Sequence, residues 1–216
     1  MELSNQSLVL MRNGQKLNVL QLRCEAEKDS FCNTTLFFIH GSMGCLTQFS
    51  HQFELYKGRA NIVAYDTIGC GSSEKPTSHG EYSTDSFTAH TIEIFEKYST
   101  SRNILVGHSY GTSQIARLCE HLQKKNDIEP ISTITGVVLI GTMDTLPPGG
   151  TAAFRIFSLP LCLLNPMQGW MTKTYMNMAY SSSFDPSMKE RAITLAGKRI
   201  CKTHAKMFQE LRAEQF

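Results

Sequence analysis

Apolar and polar positions alternate through residues 7–11 (SLVLM) and 17–24 (LNVLQLRC), the two-residue period of strands with one covered face. Asn13-Gly14 lies between them. Both residues tolerate positive φ, so the pair predicts an antiparallel hairpin, placed at the edge of a sheet. Four short apolar runs follow: residues 36–40 (LFFIH), 62–65 (IVAY), 104–106 (ILV) and 137–140 (VVLI). Each is closed by Gly or Asp, which predicts parallel strands buried on both faces. Helical spacing fills two of the gaps. Phe87, Ile92, Ile94 and Phe95 stripe residues 84–97, and Ile115, Ala116, Leu118 and Leu122 stripe residues 113–125. Alternating strands and helices imply an α/β fold with a mostly parallel sheet.

Past Gly141 the pattern changes. Residues 145–216 hold no clear buried strand and read as helical. Asp185-Pro186 is a good helix start, with Asp as N-cap and Pro in the first turn. The expected organisation is a core over 1–144 and a helical cap or lid segment over 145–216. The apolar stretch 154–171 is interrupted by Arg155, Pro160, Pro166 and Gly169, so it does not read as a bilayer-spanning helix. It packs on the sheet, lines an acyl pocket or rests on a membrane surface.

Composition narrows the partners. The 216 residues are 41% hydrophobic and 19% charged, with a net charge of +2. No basic surplus points to nucleic acid. The seven cysteines contain no C-x-x-C pair and are expected to be free, mostly buried thiols of a reducing compartment. The loop Asp66-Thr67-Ile68-Gly69-Cys70-Gly71 lacks the third glycine of a dinucleotide loop. It reads as a turn in which Asp66 is structural. Neither a metal nor a cofactor is expected.

The chemistry concentrates in Gly107-His108-Ser109-Tyr110-Gly111, a G-x-S-x-G sequence between a buried strand and a helix. In that setting the turn is tight enough to strain the serine and lift its hydroxyl above the sheet. Ser109 is the candidate nucleophile. The N–H of Tyr110 opens a helix, where developing negative charge is favoured. His40-Gly41-Ser42-Met43-Gly44 leaves the first buried strand and can bring up a second N–H, Ser42 first and Met43 second. His40 is expected to shape that loop rather than transfer protons.

The succession FFIHGSMG, YDTIGCGSSEKP, ILVGHSYG and GVVLIG resembles the first two-thirds of a serine-type α/β-hydrolase over about residues 8–144. FFIHG, RNILVGHSYG and SLPLCLLNPM resemble the abhydrolase domain-containing group, its eighth type, which is similar to lipid-acting relatives associated with lipid droplets and mitochondria. The resemblance implies an esterase or lipase acting on a carboxylic ester or thioester, with Ser109 as nucleophile and Ser42 and Tyr110 as oxyanion-hole donors. Relatives that open epoxides carry Asp at the elbow; Ser109 favours acyl-enzyme chemistry. Acyl transfer and carbon–carbon cleavage by the same serine stay open.

A serine hydroxyl needs a base. The family order is Ser, then an acid, then His. His121 lies about three turns along the helix that starts at the elbow and cannot fold back. Ser109, Asp144 and His204 form one candidate triad, although His204 sits in a polar helical stretch without a preceding strand. The other expectation is that two further strands, with the acid and His, lie beyond residue 216. A competing reading is an inactive, lipid-binding scaffold. The expected partner is a small ester or lipid, with peripheral contact to a membrane or lipid droplet. The expected location is cytoplasmic, droplet-associated or mitochondrial.

Overall fold

The apolar runs pair into one six-stranded sheet in the order β1-β2-β4-β3-β5-β6. Its strands are β1 (Gln6–Leu10), β2 (Lys16–Leu22), β3 (Thr34–Ile39), β4 (Asn61–Tyr65), β5 (Arg102–His108) and β6 (Ile134–Ile140). In the computed structural model, residues 5–24, 31–42, 44–78, 80–125 and 132–142 are described, with short stretches within 163–187. The chain divides into two units: Met1–Lys75 with Thr84–Asp144, and Pro76–Ser83 with Thr145–Phe216.

In the first unit, β1 and β2 form the expected edge hairpin, and β2 runs antiparallel to β4. The remaining pairs, β4 with β3, β3 with β5 and β5 with β6, are parallel. The hairpin turn closes through Met11 N–H to the Gln15 carbonyl (2.8 Å), with Gly14 at φ +86°.

Strand parity sorts the core. Leu20, Leu36, Phe38 and Ile62 share one face, covered by a 3-10 turn (Leu46–Phe49) and α1 (Ser50–Tyr56). The Phe38 ring lies 5.1 Å from that of Phe49 and 5.3 Å from that of Phe53. Such rings each contribute about 2–3 kcal/mol by leaving water. On the opposite face Phe37 meets Phe95 of α2 (Thr84–Tyr98) at 5.3 Å. There, too, the Tyr65 hydroxyl shares a 2.7 Å hydrogen bond with Thr91. α3 (Tyr110–Lys124) buries Ile115, Leu118 and Leu122.

Two expectations are corrected. Residues 137–140 were expected to be buried on both faces, yet Val137, Val138, Leu139 and Ile140 are 42–49% exposed. Among the described residues β6 is the outermost strand beside β5, so its apolar run has a neighbour on one side only. The cysteines are not all free either. Cys24 and Cys32 form a disulfide, their Cα atoms 5.3 Å apart. The cause is local: Asn61 at the start of β4 holds both cysteine backbones. Its Oδ1 accepts from Cys24 N–H (3.0 Å) and its Nδ2 donates to the Cys32 carbonyl (2.6 Å). Cys45 and Cys70 are buried thiols.

In the second unit, Asp185 caps as expected, its Oδ1 accepting from Ser187 N–H at 2.8 Å. Most of residues 154–171, and of the helical stretch expected after Asp185-Pro186, lies outside the described residues. Among the described residues no helix is long and apolar enough to cross a membrane.

α2 also carries a buried titratable group. His90 Nε2 accepts from Asn13 Nδ2 (3.1 Å), while its Nδ1 is buried without a hydrogen-bond partner among the described residues. Burial holds its pKa down to about 4. Between pH 6.5 and 4 the unfolded chain binds a proton that the folded chain refuses, so stability is complete above this window and falls as pH drops through it. The loss should be on the order of 3 kcal/mol. Urea unfolding at pH 7 and pH 4.5 should show it, and His90→Gln, which keeps an acceptor for Asn13, should shrink the difference by that amount.

Candidate active site

Register alone assembles the site. Ile39 pairs with Gly107 and with Tyr65, and His108 pairs with Ile140. The residues leaving the carboxyl ends of β3, β4, β5 and β6 therefore emerge side by side: His40-Gly41, Asp66-Thr67, Ser109 and Gly141. Crevices at the carboxyl ends of parallel strands are where α/β sheets place ligands.

Ser109 is the turn between β5 and α3. It has φ +50° and ψ −119°, and among the described residues it is the one non-glycine with positive φ. That conformation costs roughly 1–3 kcal/mol and persists because the surroundings hold it. Its N–H donates to the Ile140 carbonyl (2.8 Å), tying it to β6. Its own carbonyl accepts from Thr112 N–H (2.9 Å) and Thr112 Oγ1 (2.6 Å). Ser109 is the N-cap residue of α3, yet its side chain makes no capping bond. A serine there normally spends its hydroxyl on a first-turn N–H; here the hydroxyl is left for other chemistry.

The glycines of the motif are required by contact. A Cβ on Gly107 would stand 2.7 Å from Ile115 Cδ1 and 2.8 Å from the Gly111 carbonyl oxygen. One on Gly111 would meet the Ile39 carbonyl oxygen. Gly41 faces the elbow directly: a Cβ there would lie 2.9 Å from Ser109 Cβ and 2.9 Å from His108 Nδ1. The β3 exit loop and the elbow thus touch through a bare glycine, and Ser42 is the next residue along. Tyr110 is anchored sideways on α2. Its ring meets Phe87 edge-on at 5.6 Å, and its hydroxyl lies 3.4 Å from Thr84 Oγ1.

Behind the site are two buried polar groups. His40 Nε2 accepts from Thr67 N–H (3.0 Å), and Nδ1 meets the Gly41 carbonyl at 2.7 Å. Burial lowers its pKa, opposed by the charge of Asp66. Both ring nitrogens are committed to backbone, which agrees with a loop-shaping role. Asp66 is the structural turn residue expected of it. Its Oδ1 accepts from Leu46 N–H (2.7 Å), and its Oδ2 from Ser72 N–H and Asn18 Nδ2 (2.8 Å each).

The structure brings Ser109, the Gly41-Ser42 loop and the opening of α3 together. Asp144, His204 and Met43 lie outside the described residues. His121 sits on α3, away from the elbow along the helix. His108 went unremarked in the sequence as more than a motif position. Its Nδ1 is buried with no hydrogen-bond partner among the described residues, and burial lowers its pKa. Among the described residues no group of three metal-ligating side chains converges.

A mostly parallel sheet in which β5 breaks into a strained serine and then a helix defines a class: α/β proteins with a nucleophile elbow. The profile of the alpha/beta hydrolase fold family matches residues 34–161. The chain belongs to that family. It is similar to Protein ABHD8 of Homo sapiens, 26% identical over 155 residues, covering 71% of this chain and 33% of that protein. The chain thus spans about a third of that relative's length. Among solved structures it resembles the esterase EaEST from Exiguobacterium antarcticum (TM-score 0.71, 14% identity, 95% of this chain and 72% of that one). It also resembles the epoxide hydrolase VrEH1 from Vigna radiata (TM-score 0.68, 16% identity, 98% and 74%). At these identities the likeness concerns the fold.

Proposed function

We propose that this chain carries the nucleophile and oxyanion hole of a serine hydrolase of esterase or lipase type, acting on a carboxylic ester or thioester of lipid-like character. The observation that carries the reading is Ser109 at φ +50°, its hydroxyl unused as a cap and its Cβ against Gly41. The structural neighbours include both an esterase and an epoxide hydrolase; serine at the elbow favours the acyl chemistry.

In the reaction, Ser109 Oγ bonds to the substrate carbonyl carbon and its proton passes to a general base. The carbonyl oxygen becomes an oxyanion held by the N–H groups of Ser42 and Tyr110. As the tetrahedral intermediate collapses, the bond to the alcohol or thiol leaving group breaks and that group takes the proton. Water then releases the acid from Ser109 by the same steps. Asp144 and His204 are the acid and base candidates within this chain.

A fluorophosphonate probe tests this. The wild-type chain should be modified on the peptide containing Ser109, and Ser109→Ala should reduce labelling to background while remaining folded. Undiminished labelling of Ser109→Ala would overturn the assignment. Absence of labelling in the wild type would favour the lipid-binding scaffold.

A further inference from the structure

An oxyanion role for the Ser42 N–H requires that the peptide joining Gly41 to Ser42 be held in one orientation. Its carbonyl is gripped twice, by His40 Nδ1 at 2.7 Å and by Gly44 N–H at 3.0 Å. A carbonyl can only accept, so His40 Nδ1 carries the proton. At the other side of the ring, Thr67 N–H can only donate, so Nε2 is bare. The two contacts demand the same tautomer and fix it. No cis peptide occurs among the described residues, and in a trans peptide the C=O and N–H point in opposite directions. Holding the Gly41 carbonyl against His40 therefore turns the Ser42 N–H away from that ring.

We propose that His40 is a positioning residue: as its Nδ1–H tautomer, set by the Thr67 N–H, it locks the Gly41–Ser42 peptide so that the Ser42 N–H serves the oxyanion. The inference rests on the hydrolase reading of Ser109 for its catalytic consequence, but not for the lock itself. Besides the backbone, the groups that act electrostatically on the ring are Asp66 and His108. Desolvation outweighs the attraction of Asp66 and keeps the ring neutral, as the lock requires. A doubly protonated ring would have to release Thr67.

Two substitutions separate positioning from bulk stability, because each keeps one half of the ring's work. His40→Asn places an amide N–H near the former Nδ1 and can still hold the Gly41 carbonyl, but gives up Thr67. His40→Gln places a carbonyl near the former Nε2 and can still accept from Thr67, but releases Gly41. Each loses one buried hydrogen bond, so their unfolding midpoints should be similar. Their fluorophosphonate labelling rates should not be. His40→Asn should stay within about threefold of wild type. His40→Gln should fall by about a hundredfold, the usual cost of one oxyanion donor. Equal slowing of both variants would overturn the positioning role.

A second measurement works on the unlabelled wild-type chain. A long-range 1H–15N spectrum of the His40 ring should report Nδ1–H as the resident tautomer at neutral pH. An Nε2–H tautomer, or a charged ring, would overturn the lock whatever the probe does. Wild-type protein with the Nδ1–H tautomer and no labelling would instead mean that the lock stands and the hydrolase reading fails.

Discussion

Gly111→Ala should cost more stability than any other single methyl added to this chain's elbow, and should remove probe labelling with it. A Cβ at that position would fall on the Ile39 carbonyl oxygen, a backbone atom that cannot rotate aside. Ile39 is the last residue of β3, paired with Tyr65 on one side and Gly107 on the other. For alanine to fit, either β3 must leave its ladder or the first turn of α3 must lift off the sheet. Overpacking against fixed atoms commonly costs 1–3 kcal/mol, and the loss of adjoining ladder bonds adds to that. We expect a drop of about 4 kcal/mol in unfolding free energy. Lifting α3 also moves the Tyr110 N–H and relaxes Ser109 from its strained φ. Gly58→Ala is the control. Gly58 has φ +74°, but nothing lies within 4 Å of a Cβ there, so only the backbone term of about 1 kcal/mol should appear. Equal midpoints for the two variants would show that the close approach at Gly111 carries no stability.

The same contact explains why so much of the site was legible in the chain. A glycine two residues either side of a serine, between an apolar run and an amphipathic stripe, has few other uses. The strand runs stood out because parallel strands covered on both faces leave no polar interruptions. The exposed β6 looked identical, since burial on a second side depends on a neighbour rather than on the strand's own letters. α1 went unpredicted, although Leu46, Phe49 and Phe53 stand at helical spacing. Its seven residues, about two turns, are too few for periodicity to declare itself, and the Phe38 ring packs against its Phe53. The Cys24–Cys32 pair was hidden for a related reason. Eight residues of separation carry no motif, and the pairing depends on Asn61, which is distant in sequence. His40 could be read as a loop-former from its place after a strand. Its tautomer could not, because Thr67 arrives from the next strand along.

Asp66→Ala should rival the Gly111 substitution in stability, and it tests the opposite kind of interaction. Asp66 is 2% exposed, and its carboxylate receives three donors from three segments: Asn18 on β2, Leu46 at the end of the β3 exit loop, and Ser72 in the turn after β4. Gly71, at φ +49°, packs its bare Cα against the same carboxylate. Alanine would strand the donors in a cavity, each left unmade at about 1–3 kcal/mol. A water entering the space would recover part of this, so a net loss of about 4 kcal/mol is expected. Asp66→Asn keeps the shape but turns an NH2 toward at least one donor, and should lose about half as much. The functional consequence follows from Leu46. The loop that presents Ser42 is held at its start by His40 and at its far end by Asp66. Asp66→Asn should therefore slow labelling of Ser109 under conditions where the variant is fully folded, checked by far-UV circular dichroism at the labelling temperature. Asn that labels at the wild-type rate would mean that the loop is set by its His40 end alone.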